Sequence, residues 1–160
     1  MKLHKLLYYC QGHHLASLGV PLFRETVSAW DMGPVVGEFW KQEREGAVPT
    51  AYAELDEAQL NTVGYVLSRY GGLSGMDLQH LTHSEEPWQL ANRNRRSGES
   101  TRIERDWMRS YFRSNPGGDT DDVLLDSEAV TAWLKSAGDR RDEPAMFDSR
   151  EAVLARLTRA

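Results

Sequence analysis

The sequence predicts a mainly α-helical fold: a compact domain of about five to six helices with room for one short β pair, followed by a helical C-terminal extension. Three observations lead there. Apolar residues recur at helical spacing in several separate stretches. Capping patterns stand at the heads of those stretches, and glycine or proline stands at their ends. β-prone residues are confined to one short piece, residues 26–30.

The first stretch, "MKLHKLLYYCQGHHLASLG", predicts a helix whose apolar face is Leu3, Leu6, Leu7, Cys10, His14 and Leu18. Gly19 and Pro21 end it, one by tolerating the left-handed cap and the other by being unable to continue the turn. Residues 26–30 read as a strand or extended chain. Gly33-Pro34 predicts a second helix start, because proline at the first helical position lacks only an N–H that has no partner there. Val35, Phe39 and Trp40 would face inward, and residues 44–55 read as loop.

Asp56 with Gln59 predicts a capped helix carrying Leu60, Val63, Leu67 and Tyr70 as far as Gly71-Gly72. Ser74 with Asp77 predicts another, with Leu78 and Leu81 inward. The stretch "HLTHSEEPW" reads as a further start. Thr82 has the capping spacing to Glu85, Ser84 offers a second cap, and Glu85 and Glu86 suit the positive end of a helix. Pro87 fits a first turn and Trp88 anchors it. Thr101 with Glu104 caps the next helix, with Ile103, Trp107 and Tyr111 inward. The breaker-rich, acidic residues 114–122 form a linker between a domain at 1–113 and an extension at 123–160. Two short helices are expected in that extension, around 130–134 and 152–157.

A chain of 160 residues that is 40% hydrophobic can fill one core. A net charge of −5 is the wrong sign for a general nucleic-acid binder. The single cysteine, Cys10, excludes an internal disulfide and suits a reducing compartment. No apolar run is long enough to span a membrane, and no leader peptide is recognisable, so a cytoplasmic protein is expected.

Candidate chemistry is sparse. His80 and His83 have the spacing of a helical metal pair, but a site needs about three or four protein ligands, and no second such pair stands elsewhere. Cys10 on a buried face has a raised pKa and is a poor nucleophile. Ser84 beside His83 is sequence adjacency without a nucleophile elbow. The reading assigns no catalytic residue, no metal ligand and no cofactor. It leaves a basic run with interleaved aromatics: Arg93, Arg95, Arg96, Arg102, Arg105, Arg109 and Arg113. Such a run serves an acidic protein partner or, as the alternative, DNA.

Three strings in this order, "KLHKLLYYCQGHHLASLGVPLF", "AWDMGPVVGEFW" and "YGGLSGMDLQHLTHSEEPW", resemble the Panacea domain, the family of SocA-like antitoxins and phage-associated GepA-type proteins. The matching residues are Lys5, Leu6, Tyr8, Gln11 and Leu15, then Trp30, Gly33, Pro34 and Val35, then Leu81, Thr82, His83, Pro87 and Trp88. The resemblance implies a helical, non-catalytic antitoxin that binds a cognate toxin encoded beside it, by occlusion or by delivery to a protease. No membrane partner is expected, since no apolar run reaches spanning length. Gly33-Pro34 and Pro87-Trp88 are expected as fold determinants. Gln11, Thr82 and His83 are expected in a buried hydrogen-bond network or lining a groove. The family carries a helix upstream of "KLHKLLYY", and this chain starts at that block, with the helix expected to be absent. Either the start is placed too late, or part of the core is uncovered, in which case an apolar patch favouring a homo-oligomer or a partner is expected.

Overall fold

The structure, a computed structural model, describes residues 2–46 and 54–116. The expected linker beyond residue 116 and the extension at 123–160 lie outside the described residues. Those described form α1 (Lys2–Leu18), β1 (Val27–Trp30), β2 (Gly33–Val36), α2 (Gly37–Arg44), α3 (Glu57–Tyr70), α4 (Gly75–Ser84), α5 (Glu86–Asn92), β3 (Thr101–Arg102) and α6 (Arg105–Ser114). The fold is mainly α, with one small antiparallel sheet of order β2-β1-β3.

Helix α1 packs against α3, α4, α6 and β2 at once. That placement corrects the expected apolar face in part: Cys10 and His14 are buried and Leu6 and Leu7 pack against the core, but the ends of the stripe fall outside. Leu3 and Leu18 are exposed, while His4, Lys5, Tyr8, Tyr9, Gln11, His13, His14 and Leu15 are buried. A helix enclosed on several sides has little choice about which side chains it buries, so its polar groups need internal partners. Gln11 supplies one solution. Its carbonyl oxygen accepts the N–H groups of Leu22 (2.9 Å) and Phe23 (3.2 Å), and its amide donates to the Phe23 carbonyl (3.0 Å), which ties the returning chain to the helix. His14 Nδ1 lies 2.8 Å from the Thr62 hydroxyl, and His13 Nε2 lies 3.2 Å from the Tyr70 hydroxyl, fastening α3 alongside. His4 Nδ1 accepts the Val36 N–H at 3.3 Å and seats β2.

Gly33-Pro34 does not start a helix. The two residues open β2, with Trp30 opposite Gly33 and Ala29 opposite Pro34. Since β2 is an edge strand, proline's missing N–H is tolerated there. The turn at Asp31 and Met32 contains no positive φ, so the left-handed step falls on Gly33, at φ 100°. Helix α2 starts at Gly37 instead.

The caps at Asp56/Gln59 and Ser74/Asp77 form as expected, each with reciprocal side-chain bonds. Leu78 is buried, but Leu81 is 40% exposed, because the inward pair on α4 is Leu78 and Thr82, one turn apart. The Thr101/Glu104 cap does not form. Thr101 and Arg102 are instead a third strand beside β1, and Glu104 stands before α6 without a side-chain cap. Ile103 is therefore buried from outside the helix, and the buried stripe of α6 is Met108 and Phe112, with Trp107 and Tyr111 only partly covered.

Phe112 reaches α1 at Gly12, where a β-carbon would lie 2.2 Å from its ring. Alanine in place of a helical glycine ordinarily stabilises by up to about 1 kcal/mol. Gly12→Ala is expected to do the reverse and to cost about 1–3 kcal/mol through overpacking. Urea unfolding of the two proteins checks the sign.

Candidate functional site

The residues singled out by the sequence converge where α1, β2, α4 and α5 meet. Lys5 and Tyr8 come from one side of α1, and a strand passes over them at Gly33. Gly33 has φ 100°, a conformation that strains any side-chain-bearing residue, and a β-carbon there would stand at a tight 3.1 Å from both Lys5 Cε and Thr82 Oγ1. Lys5 is 1% exposed, and its Nζ has no hydrogen-bond partner among the described residues. Burial pulls its pKa down to about 8.

Thr82 does not cap α5. Helix α4 runs on to Ser84, and the buried Thr82 hydroxyl donates back to the Leu78 carbonyl at 2.9 Å. The second expected cap fails in the same way, since the Ser84 hydroxyl donates to the Leu81 carbonyl at 2.7 Å. Glu85 occupies the capping position of α5 in backbone only. Its side chain turns inward, where it is 8% exposed and accepts from the Tyr9 hydroxyl at 2.9 Å. The Tyr8 hydroxyl is buried near the same carboxyl. Burial, only partly offset by the tyrosine hydroxyls, raises Glu85 to about 7.

His83 is half-buried. Among the described residues its ring makes no bond to a carbonyl or carboxylate and its Nε2 has no partner; the ring stacks on Trp88 at 3.9 Å. Desolvation first, then the nearby Lys5, His80 and Arg95 charges, lower its pKa. His80 is exposed, and no group of three or more His, Cys, Asp or Glu among the described residues is placed to hold a metal. Burial pushes the Cys10 thiol up to about 12, away from the reactive thiolate. Pro34, Pro87 and Trp88 are buried, and Trp30 donates its indole N–H to Ser100 at 2.9 Å.

The arginines scatter rather than assemble. Arg95 lies 2.5 Å from Asp31 and also bonds Asn92 and the carbonyls of Arg96 and Glu99. Asp31 further accepts from Ser97 and from the Gly98 N–H, so the loop after α5 is fastened to the hairpin turn. Sequence reasoning missed Asp31, because nothing in a hairpin turn announces a partner more than sixty residues away. Arg105 donates to the Arg24 carbonyl at 2.6 Å, and Arg102 pairs with Glu104 at 3.3 Å. Arg93, Arg96, Arg109 and Arg113 are exposed and make no ion pair among the described residues.

A family model described as "Antitoxin SocA-like, Panacea domain" matches residues 3–89, just over half of the chain. No curated protein and no solved structure matches it. The matched span runs from the start of α1 into the first half of α5 and takes in the β1–β2 hairpin, and thus the whole convergence of Lys5, Gly33, Thr82, Glu85 and Trp88.

The Glu85 carboxyl sets a pH dependence. Its folded pKa, about 7, lies above the ordinary 4.5, so between those values the folded protein holds a proton that the unfolded chain has released. Stability contributed by this group therefore falls as pH rises across that window and is level above it. Glu85→Gln keeps an acceptor for Tyr9 and removes the slope. The variant is expected to gain on the parent from pH 4.5 to pH 7, by at most about 3 kcal/mol, in denaturant titrations at stepped pH. A pH-independent difference would mean that Glu85 ionises normally. For His83→Ala the stack alone is lost, and a stability decrease of about 0.5–1.5 kcal/mol is expected in the same assay.

Proposed function

The chain belongs to the SocA-like Panacea domain family of antitoxins, and from that premise we propose that it is a non-catalytic protein that binds and neutralises a toxin encoded beside it. Neutralisation would follow from covering the toxin's active site or from handing the toxin to a protease. The observation that carries this reading is the burial of the family-matched polar residues. Lys5, Tyr8, Gln11 and Thr82 are each essentially inaccessible, so no substrate reaches them from solvent. Gln11 holds the chain return after α1 and Thr82 bonds back within α4, while Lys5 and Tyr8 are enclosed with no hydrogen-bond partner for their polar atoms among the described residues. The surface is left to do the work, and a surface recognises a macromolecule more readily than it transforms a small one.

The alternative, a DNA-binding regulator using residues 93–113, has less support. Arg95 and Arg105 are engaged with the protein's own groups, and phosphate contacts need free guanidinium groups on one face.

A growth-rescue assay tests the reading. The neighbouring open reading frame is induced alone and then together with this protein, and the pair is co-purified. Toxicity alone, rescue on co-expression and a stable complex are expected. Toxicity without rescue or binding would overturn the antitoxin reading, and binding to the operon's own DNA that weakens steeply with salt would favour the regulator.

A further inference from the structure

A groove of about 470 Å³ runs between α3 and α6 over the second half of α1. Its floor and walls are His13, Ala16, Leu18, Thr62, Tyr65 and Phe112. The histidine there is no source of charge: burial first, then the nearby Arg69, lower His13 to about 4. Thr62 is occupied with His14 and with the Ala58 carbonyl, so neither group asks for a polar ligand. Two of the lining residues are joined, the Tyr65 hydroxyl donating to the Pro116 carbonyl at 3.1 Å.

Its edges carry opposite charge. Arg113 lines the α6 side and Arg109 stands one turn before it, against Gly19 at the end of α1. Both are exposed, and neither makes an ion pair among the described residues. At the start of α3 the exposed Asp56 and Glu57 stand beside Ala58, which also lines the groove. An apolar trough with cations along one wall and anions at the other suits one kind of occupant. A helix fits if it lays an apolar stripe into the trough and carries carboxylates on the flank facing α6. Leu18, exposed and lining the groove, adds to the apolar contact.

We infer that this groove is the docking site for an acidic amphipathic helix of the protein partner. The inference rests on the proposed function for the identity of that partner, but not for the existence of the surface. Arg109 and Arg113 are the specificity residues; Arg95 and Arg105 take no part.

Two probes separate the claims. The first is a synthetic amphipathic helical peptide with leucines on one face and glutamates on one flank, compared with the same peptide carrying lysines. The glutamate peptide is expected to shift the NMR signals of His13, Thr62, Tyr65 and Phe112. Its affinity should weaken about tenfold or more in the double variant Arg109→Glu, Arg113→Glu, and with added salt. Asn61→Trp, an exposed α3 position that lines the groove, should block it without disturbing the core. Equal binding of the lysine peptide, or shifts elsewhere on the surface, overturns the inference. So does a concentration-dependent dimer that Asn61→Trp disperses, which would make a second copy the occupant.

The second probe is the product of the neighbouring open reading frame. Binding that the groove variants leave unchanged overturns the assignment and leaves the antitoxin reading intact. A groove that takes the glutamate peptide while that product fails to bind leaves the surface standing and removes the toxin.

Discussion

Enclosure of a polar helix is the constraint on which the rest of this structure depends. Helix α1 has neighbours on several sides, and the side chains it must bury include a lysine, three histidines, two tyrosines and a glutamine. Each needs a partner or carries the cost of an unpaired buried group. The surrounding elements are arranged as answers to that demand. The return loop closes on Gln11, β2 on His4, α3 on His13 and His14, and the α4–α5 junction on Tyr9 through Glu85. Apolar packing between α1 and α6 then fills the remaining side, with Phe112 against Gly12.

Not every demand is met. Lys5 Nζ, Tyr8 Oη, His83 Nε2, Glu85 Oε2 and Trp88 Nε1 are buried without a bond among the described residues, and all lie on α1 or around the α4–α5 junction. The depressed lysine and the raised glutamate are the electrostatic expression of the same shortage, since desolvation disfavours both charged forms. The junction is thus the place where the fold is least satisfied, and where a change of pH or of one side chain has most leverage.

Much of this was legible in the sequence where the signal is local. The fold class, the end of α1 at Gly19, the two reciprocal caps of α3 and α4 and the strand within residues 26–30 follow from neighbouring residues alone. The family's matched positions were also visible, since their order along the chain carries the resemblance. What escaped was decided at long range. Leucine spacing put Leu3 and Leu18 inward and passed over His4, Lys5, Tyr8 and Gln11, because periodicity assumes a helix with one wet side. Gly33-Pro34 has the composition of a helix start but lies in a hairpin, whose partner strand supplies the missing context. Thr82 and Glu85 have capping spacing, yet α4 continues past Thr82, and Glu85 is drawn inward by a tyrosine on α1. Asp31 had no local signal at all.

These errors share a consequence for function. The matched polar residues Lys5, Tyr8, Gln11 and Thr82 sit in the interior, and His80 and Ser84 are exposed, with no metal-holding cluster around them among the described residues. The arginines that looked like one binding face divide into internal fasteners and exposed groups. The role we propose is binding through the surface, with the matched residues acting through the fold they hold together. The direct test is to measure stability and binding to the neighbouring gene's product together across a set of variants at matched positions, such as Gly33→Ala, Thr82→Ala and Trp88→Phe. The account predicts that binding falls only as far as the folded fraction falls, so that all variants lie on one curve. A variant as stable as the parent that no longer binds would contradict it, and would place that residue in the interface itself.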